Sequence, residues 1–350
     1  MDQKILSAAR EHAARYPRME PQDFGKLIYQ SEFGPGHFIK DRQSALSYLQ
    51  KERKEIVKGG TPEKPEPIGN TFCRFPLSFC RAGQKAEELL TDLFVLTAQS
   101  HTGTMDGLLE KLSLIKSLKI PGMEEWADAW QSAGCPAVHH SKRYREAYRP
   151  HYRLLRRDYA VCFFLLLQIS ELIEKEKPAI IGIDGRCGSG KTHCANMIKR
   201  IFPCRVIHMD DFFLPMERRQ KDWYNIPGGN MDFMRFQTEI AAPVQQGKTV
   251  IYRPYDCGTG KMKDSLEMEP QMLTVIEGSY SHHPLLHLSY DLKLFLTCAY
   301  DVREKRLRER EGSYFSMFEE RWMPMEENYF SCFSIEAESD MQIDTSEMAD

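Results

Sequence analysis

The stretch Ala179-Ile180-Ile181-Gly182-Ile183-Asp184-Gly185-Arg186-Cys187-Gly188-Ser189-Gly190-Lys191-Thr192 decides how this 350-residue chain is read. Its first six residues, a short apolar run rich in β-branched isoleucine that ends in Asp184, predict a buried strand; His193 to Phe202 has the spacing of a helix. Between them Gly185 to Thr192 fits the pattern G-x-x-x-x-G-K-[ST], and the strand–loop–helix context turns a text match into a physical site. Glycines at 185, 188 and 190 let the backbone curl so that N–H groups converge on phosphate oxygens. Lys191 adds a charge at a helix start, and the Thr192 hydroxyl is an oxygen donor suited to Mg²⁺. Gly185, Gly188, Ser189, Gly190, Lys191 and Thr192 are therefore the expected nucleotide-binding residues, with ATP and Mg²⁺ the expected cofactors.

Working outward from this loop, residues 178 onward alternate between strands and helices. Strands are expected at Arg205–Met209, Thr249–Tyr252, Met272–Ile276 and Leu292–Thr297, with helices at Phe233–Gln246 and Val302–Glu311. That order predicts a parallel sheet with crossover helices, whose ligands bind beyond the carboxyl ends of the strands. Ile335–Asp350 has six acidic residues and no basic one, and reads as a tail disordered at its end or, at Met341–Ile343, as a final strand.

Residues before 175 read mostly as helices: Ile5–Ala14, Pro21–Ser31, Arg42–Val57, Gln84–Ser100, Leu108–Leu118 and a long one over Asp158–Glu176. Glu32–Phe38 breaks the pattern, Lys58–Pro67 reads as a solvated loop, and Ile68–Phe79 as extended. Pro178 marks the boundary, giving a helical domain of unknown function over 1–175 and a second domain over 176–350. His139–Arg157 interleaves seven Lys and Arg residues with Tyr144, Tyr148, His151 and Tyr152. It is read as a solvated helix face or a docking surface for the acidic half; a grip on phosphates or RNA is the alternative.

Composition narrows the class. Net charge is −3, with 26 Lys and Arg against 22 Asp and Glu over residues 1–175 and 21 against 28 over residues 176–350. The balance argues against nucleic acid as a bulk partner. The ten cysteines have no C-x-x-C pair, so neither zinc nor a disulfide framework is expected. No apolar signal core opens the chain, and Ala160–Leu167 is too short to span a bilayer, so a cytoplasmic protein without membrane contact is expected. A homo-oligomer is compatible with this.

Several polar residues fall at the expected strand ends. Asp210 and Asp211 follow the second strand, where a carboxylate can take the proton of an acceptor hydroxyl or hold a metal ion. Glu277 ends the fourth, in place for Mg²⁺. Arg303, Arg306 and Arg310 share one helical face and can neutralise charge on a transferred phosphoryl group. Trp223, Tyr224, Pro227, Gly228, Gly229 and Asp232 form an aromatic loop that can bind an acceptor, although Asp232 is equally suited to cap the helix at Phe233.

In order, these motifs resemble the uridine kinase family, within the wider group that includes phosphoribulokinase and bacterial pantothenate kinase. The resemblance covers roughly 178–345. It implies an α/β P-loop NTPase fold, with a parallel sheet and flanking helices, preceded here by the mainly α-helical N-terminal domain. The segment Val206–Phe213 is similar to the one whose Asp is the family's base, which points to Asp210. Asn225–Phe233 resembles the stretch whose acids bind the sugar, so Asp232 inherits that role. Arg253-Pro254-Tyr255-Asp256 implies that Tyr255 lines the acceptor pocket, and Val275-Ile276-Glu277-Gly278 is similar to the metal-associated Glu-Gly. Asp301–Arg306 resembles the start of the lid. One departure stands out: true uridine-cytidine kinases usually carry a histidine a few residues beyond that tyrosine, whereas this chain has Cys257-Gly258-Thr259-Gly260-Lys261.

The expected reaction is transfer of the ATP γ-phosphoryl group to a hydroxyl of a small metabolite, a nucleoside or sugar-like alcohol. Asp210, Lys191, Arg303 and Arg306 are the expected catalytic residues, and Thr192, Glu277 and Asp210 the expected metal partners. Other acceptors (pantothenate, a sugar, an RNA end) and a nucleotide-gated regulatory module remain open alternatives.

Overall fold

The computed structural model describes residues 2–36, 39, 41–56, 64–69, 71–80, 83–100 and 103–348. The chain divides into two compact units, Met1–Leu167 and Gln168–Glu347, with the division inside the helix Phe163–Ile173, whereas the sequence, with Pro178 as its marker, places the boundary at 175/176.

The first unit is less purely helical than its sequence predicts. Helices at Asp2–Arg15, Pro21–Phe33, Arg42–Arg53, Gln84–Gln99 and Met105–Lys116 match the expected periodicity. A further helix, Met123–Ser132, seats Trp130 in a core with Leu27, Phe24 and Ile115. The expected loop over Lys58–Pro67 lies largely outside the described residues, but its end, Glu66–Pro67, is strand β1. It pairs antiparallel with β2 (Phe72–Pro76), which pairs with β3 (Tyr152–Arg156). The expected break at Glu32–Phe38 also lies partly outside them; the helix ends at Phe33 and Gly34 caps it. The basic, aromatic segment is thus half helix (Lys142–Tyr148) and half core strand, with Tyr144 and Arg153 buried. The long helix expected over Asp158–Glu176 is two, Arg157–Val161 and Phe163–Ile173, meeting at Cys162.

The second unit holds β4 (Ala179–Gly185), β5 (Arg205–His208), β6 (Val250–Tyr252), β7 (Tyr255–Asp256), β8 (Lys261–Met262), β9 (Leu266–Met268), β10 (Leu273–Glu277), β11 (Leu292–Thr297) and β12 (Met341–Asp344). Five of these form a parallel sheet in the order β12-β11-β4-β10-β5. The expectation for Thr249–Tyr252 needs correction: β6 pairs antiparallel with β9, outside this sheet. The burial pattern explains why. Every residue of β10 is buried, as a strand covered on both faces must be, while Ile251 of β6 faces solvent. The edge beyond β11 is taken instead by β12, within the tail.

Register fixes where chemistry can gather. Glu277 sits opposite both Ile183 and His208, and Gly185 opposite Leu296. The carboxyl ends of β4, β5 and β10 therefore finish level, and the loops that follow them open on one side of the sheet. Among the described residues no helix is long and apolar enough to cross a membrane.

Candidate active site

At the end of β4 the chain turns through Gly185, whose φ of 139° and close packing against β11 admit no side chain: a Cβ there would lie 2.1 Å from the Leu296 carbonyl oxygen. The Cys187 side chain anchors the loop in a small apolar cluster with Leu307, Phe315 and Met323. Gly190, at φ 89°, is the N-cap of the helix Lys191–Ile201, with open space where a Cβ would stand. The loop thus presents backbone and a helix N-terminus, a combination that attracts anions.

This loop borders a cavity of about 800 Å³ whose walls include Gly188, Gly190, Lys191, Thr192, Asp210 and Glu277. Lys191 Nζ donates to the carbonyls of Gly185 (2.6 Å) and Arg186 (3.2 Å), so the ammonium is folded onto its own loop. The Thr192 hydroxyl donates to Glu277, 3.1 and 3.2 Å from its two oxygens. Glu277 is buried and accepts a further hydrogen bond from His208 Nδ1, which raises the imidazole pKa.

Asp210 and Asp211 part company. Asp211 accepts a hydrogen bond from the Tyr252 hydroxyl at 2.9 Å and takes no place in the cavity wall. Asp210 opens into the cavity while protein encloses its sides. That desolvation, with Glu277 nearby, pushes its carboxyl pKa up, and the positive charges of Lys191 and Arg310 offset part of the rise.

The arginine face splits in the same way. Arg306 and Arg310 line the cavity. Arg306 donates to the Gly188 carbonyl and to Thr345. Arg303 lies outside that wall: it is buried behind the loop, with its guanidinium near Met323 and Tyr300. Ser189 and Gly185 likewise shape the loop without lining the cavity, Ser189 being fully buried. Asp232 takes its alternative role. It is buried, caps the helix beginning at Phe233 by accepting from the Arg235 N–H, and pairs with Arg218, apart from the cavity wall. Tyr255 does line the cavity, in the β7–β8 hairpin, and Cys257 lines it too.

Sequence reasoning missed Glu326. It is buried, accepts a hydrogen bond from the Cys187 N–H at 2.8 Å and another from Ser279, and lines the same cavity as Asp210 and Glu277. It also missed Phe213, Arg219, Phe318 and Trp322, which line the same cavity. Phe318 and Trp322 bound a π-helical turn ahead of Pro324, a proline that cannot donate to the helical ladder.

No family model matches the chain. Two curated proteins do. The nicotinamide riboside kinase 2 of Mus musculus is 30% identical over 142 residues, which is 37% of this chain and 67% of the relative. The uridine kinase of Streptococcus agalactiae serotype V is 28% identical over 165 residues, 42% of this chain and 76% of the relative. A solved structure described as a possible uridine kinase from Bacillus stearothermophilus aligns over 52% of this chain and 96% of its own, with 18% identity and a TM-score of 0.41.

Proposed function

Because the chain belongs to the uridine kinase-like family of P-loop kinases, we propose that it transfers the γ-phosphoryl group of ATP to a hydroxyl of a small metabolite, a nucleoside or a related alcohol. The observation that carries this reading is the meeting of Asp210 with Lys191, Thr192 and Glu277 in one cavity. A loop that only sensed nucleotide would have no use for an acid held across from it.

Each residue has a task in this reading. The backbone at Gly188 and Gly190 and the helix start receive the phosphates, and Lys191 leaves its own carbonyls to meet them. Asp210 accepts the hydroxyl proton of the acceptor and aims its oxygen at phosphorus; its raised pKa strengthens it as a base. Arg306 and Arg310 face the transferred group, and Arg303 supports the loop from behind. Mg²⁺ usually binds one or two protein oxygens together with substrate phosphates, and in this reading those oxygens belong to Thr192 and Glu277, with Asp210 adjacent. When bound, Mg²⁺ would offset the phosphates' negative charge.

The acceptor end is set by Tyr255, Cys257, Phe213, Arg219 and Trp322. Aromatic walls with few polar groups suit a flat ring carrying a hydroxylated tail. The names of both curated relatives specify such acceptors, uridine and nicotinamide riboside. With no histidine in Cys257–Lys261 to hydrogen-bond a base, discrimination for uridine falls away. A mass-spectrometric search for newly phosphorylated products, after incubation of the protein and Mg·ATP with a metabolite extract, tests the reading. A phosphomonoester of an alcohol is expected; ATP consumption without any phosphorylated product would overturn it.

A further inference from the structure

Phosphoryl transfer leaves unused a cavity of about 950 Å³ within the unit Met1–Leu167, bordered by Lys26, Gln30, Arg145, Arg149, Tyr152 and Arg153. One side of it is an ordered chain of hydrogen bonds. Asp23 Oδ1 lies 2.8 Å from His140 Nδ1, and His140 Nε2 lies 2.8 Å from the Tyr152 hydroxyl. Gln30 donates to that hydroxyl at 3.1 Å, and Arg74 Nε donates to Gln30 Oε1, also at 3.1 Å. Burial keeps His140 neutral, its pKa lowered to about 3, so Nδ1–H donates to Asp23 and Nε2 accepts from Tyr152.

Arg153 does not close this network. It is 7% exposed, and its Nη1 donates to Glu52 at 2.8 Å and to the Tyr152 carbonyl at 3.0 Å. Its Nη2, like that of the buried Arg74, has no hydrogen-bond partner among the described residues. A buried charged donor without an acceptor is costly, and native structures rarely leave one without a reason. The nearby acids are committed: Asp23 to His140 and Ser141, Glu52 to His151 and Arg153. Glu55 is an exposed acid in the same wall. Lys26 is buried with its ammonium on the Val138 carbonyl, its pKa lowered to about 8 first by desolvation and then by Arg74. Positive charge is crowded here. The Arg153 guanidinium also lies 5.5 Å from the centre of the Tyr48 ring and 5.8 Å from that of Phe94, and both rings line the cavity.

We infer that this cavity is a second ligand site, taking a small organic anion in which a phosphate or carboxylate group is joined to a flat ring. The anionic group meets Arg153 and Lys26, with Arg145 and Arg149 at the entrance; the ring lies along Tyr48 and Phe94. This reading returns the basic, aromatic segment to the phosphate-gripping role left open in its sequence, and it rests on nothing in the kinase half.

Calorimetric titration of the full chain with phenyl phosphate and with benzoate tests it and separates the two anionic groups. At least one probe is expected to bind wild type and Lys191→Ala equally, because neither needs the nucleotide loop. Arg153→Gln should weaken that binding by at least roughly tenfold. Should Arg153→Gln fail to fold, the double variant Arg145→Gln/Arg149→Gln alters only exposed side chains and is expected to weaken the same probe. Failure of both probes to bind wild type, binding that vanishes in Lys191→Ala, or binding untouched by the cavity variants would each overturn the inference.

Discussion

The Thr192 hydroxyl and the Glu277 carboxylate are 3.1 Å apart, and through that bond the first turn of the loop helix is tied to the end of β10. The sheet register makes the contact possible by finishing β4, β5 and β10 level. In the proposed reaction this oxygen pair, with His208 behind it, would meet a hard cation that arrives with phosphates. Replacing Glu277 by Gln keeps its shape and removes the charge. We expect Glu277→Gln to raise the Mg²⁺ concentration needed for half-maximal turnover by about tenfold or more while leaving the melting temperature little changed. A magnesium titration of initial rates reads this directly.

Lys191 spends its hydrogen bonds on the Gly185 and Arg186 carbonyls, which it must leave to meet a polyphosphate. Lys191→Ala should therefore preserve the fold but abolish measurable turnover, a loss of roughly a thousandfold or more. Circular dichroism and a coupled ADP-release assay on the same preparation separate the two effects.

Asp210→Asn is expected to bind Mg·ATP like wild type while turnover falls by about 10²–10⁴-fold. It carries a stability signature as well. A carboxyl whose folded pKa is raised is less favourable in its charged form once the pH exceeds its unfolded value, so removing the charge at neutral pH should leave the melting temperature equal or higher. A lower melting temperature would contradict the raised carboxyl pKa described for this group. The wild-type rate should fall on acidification at a pH above the ordinary aspartate range.

Much of this site was legible because loop chemistry is local. Glycines, a lysine and a threonine at fixed spacing, after a β-branched run, leave little freedom, and Asp210 and Glu277 each follow a strand visible in the sequence. Glu326 was not legible, because its approach to Cys187 depends on a helix far along the chain whose π turn no periodicity reveals. β3 was obscured for another reason, whereas β2 lies inside Ile68–Phe79, the segment its sequence marks as extended. Tyr152-Arg153-Leu154-Leu155-Arg156 holds two arginines around adjacent leucines, so no apolar–polar alternation marks it as a strand. The antiparallel pair β6–β9 looked like another crossover strand because three residues are too few to show a face.

Asp232 illustrates a role that the resemblance and the geometry assign differently. Its side chain caps the helix at Phe233 and pairs with Arg218. Asp232→Ala should cost about 1 kcal/mol of stability from the lost cap. If the residue also holds the acceptor, KM for that acceptor rises with kcat nearly unchanged; denaturant unfolding beside steady-state kinetics distinguishes the two contributions.

The first unit should be acid-labile. Burial lowers the pKa of both His12 and His140 to about 3, against 6.5 in an unfolded chain. Between those values the unfolded state binds more protons than the folded one, so stability rises with pH across the window and is lost as pH falls below about 6.5. Thermal melts from pH 7.5 down to 4 should show a declining transition, less steep in His140→Gln.

Phosphorus NMR tests the central claim most directly. Wild type, Mg·ATP and a panel of nucleosides and sugar alcohols are incubated together and the spectrum followed. A new phosphomonoester resonance should grow as the ATP γ resonance decays, and should be missing with Asp210→Asn. A phosphomonoester that forms equally well with Asp210→Asn, or ATP that binds and persists beside every acceptor, would contradict the account.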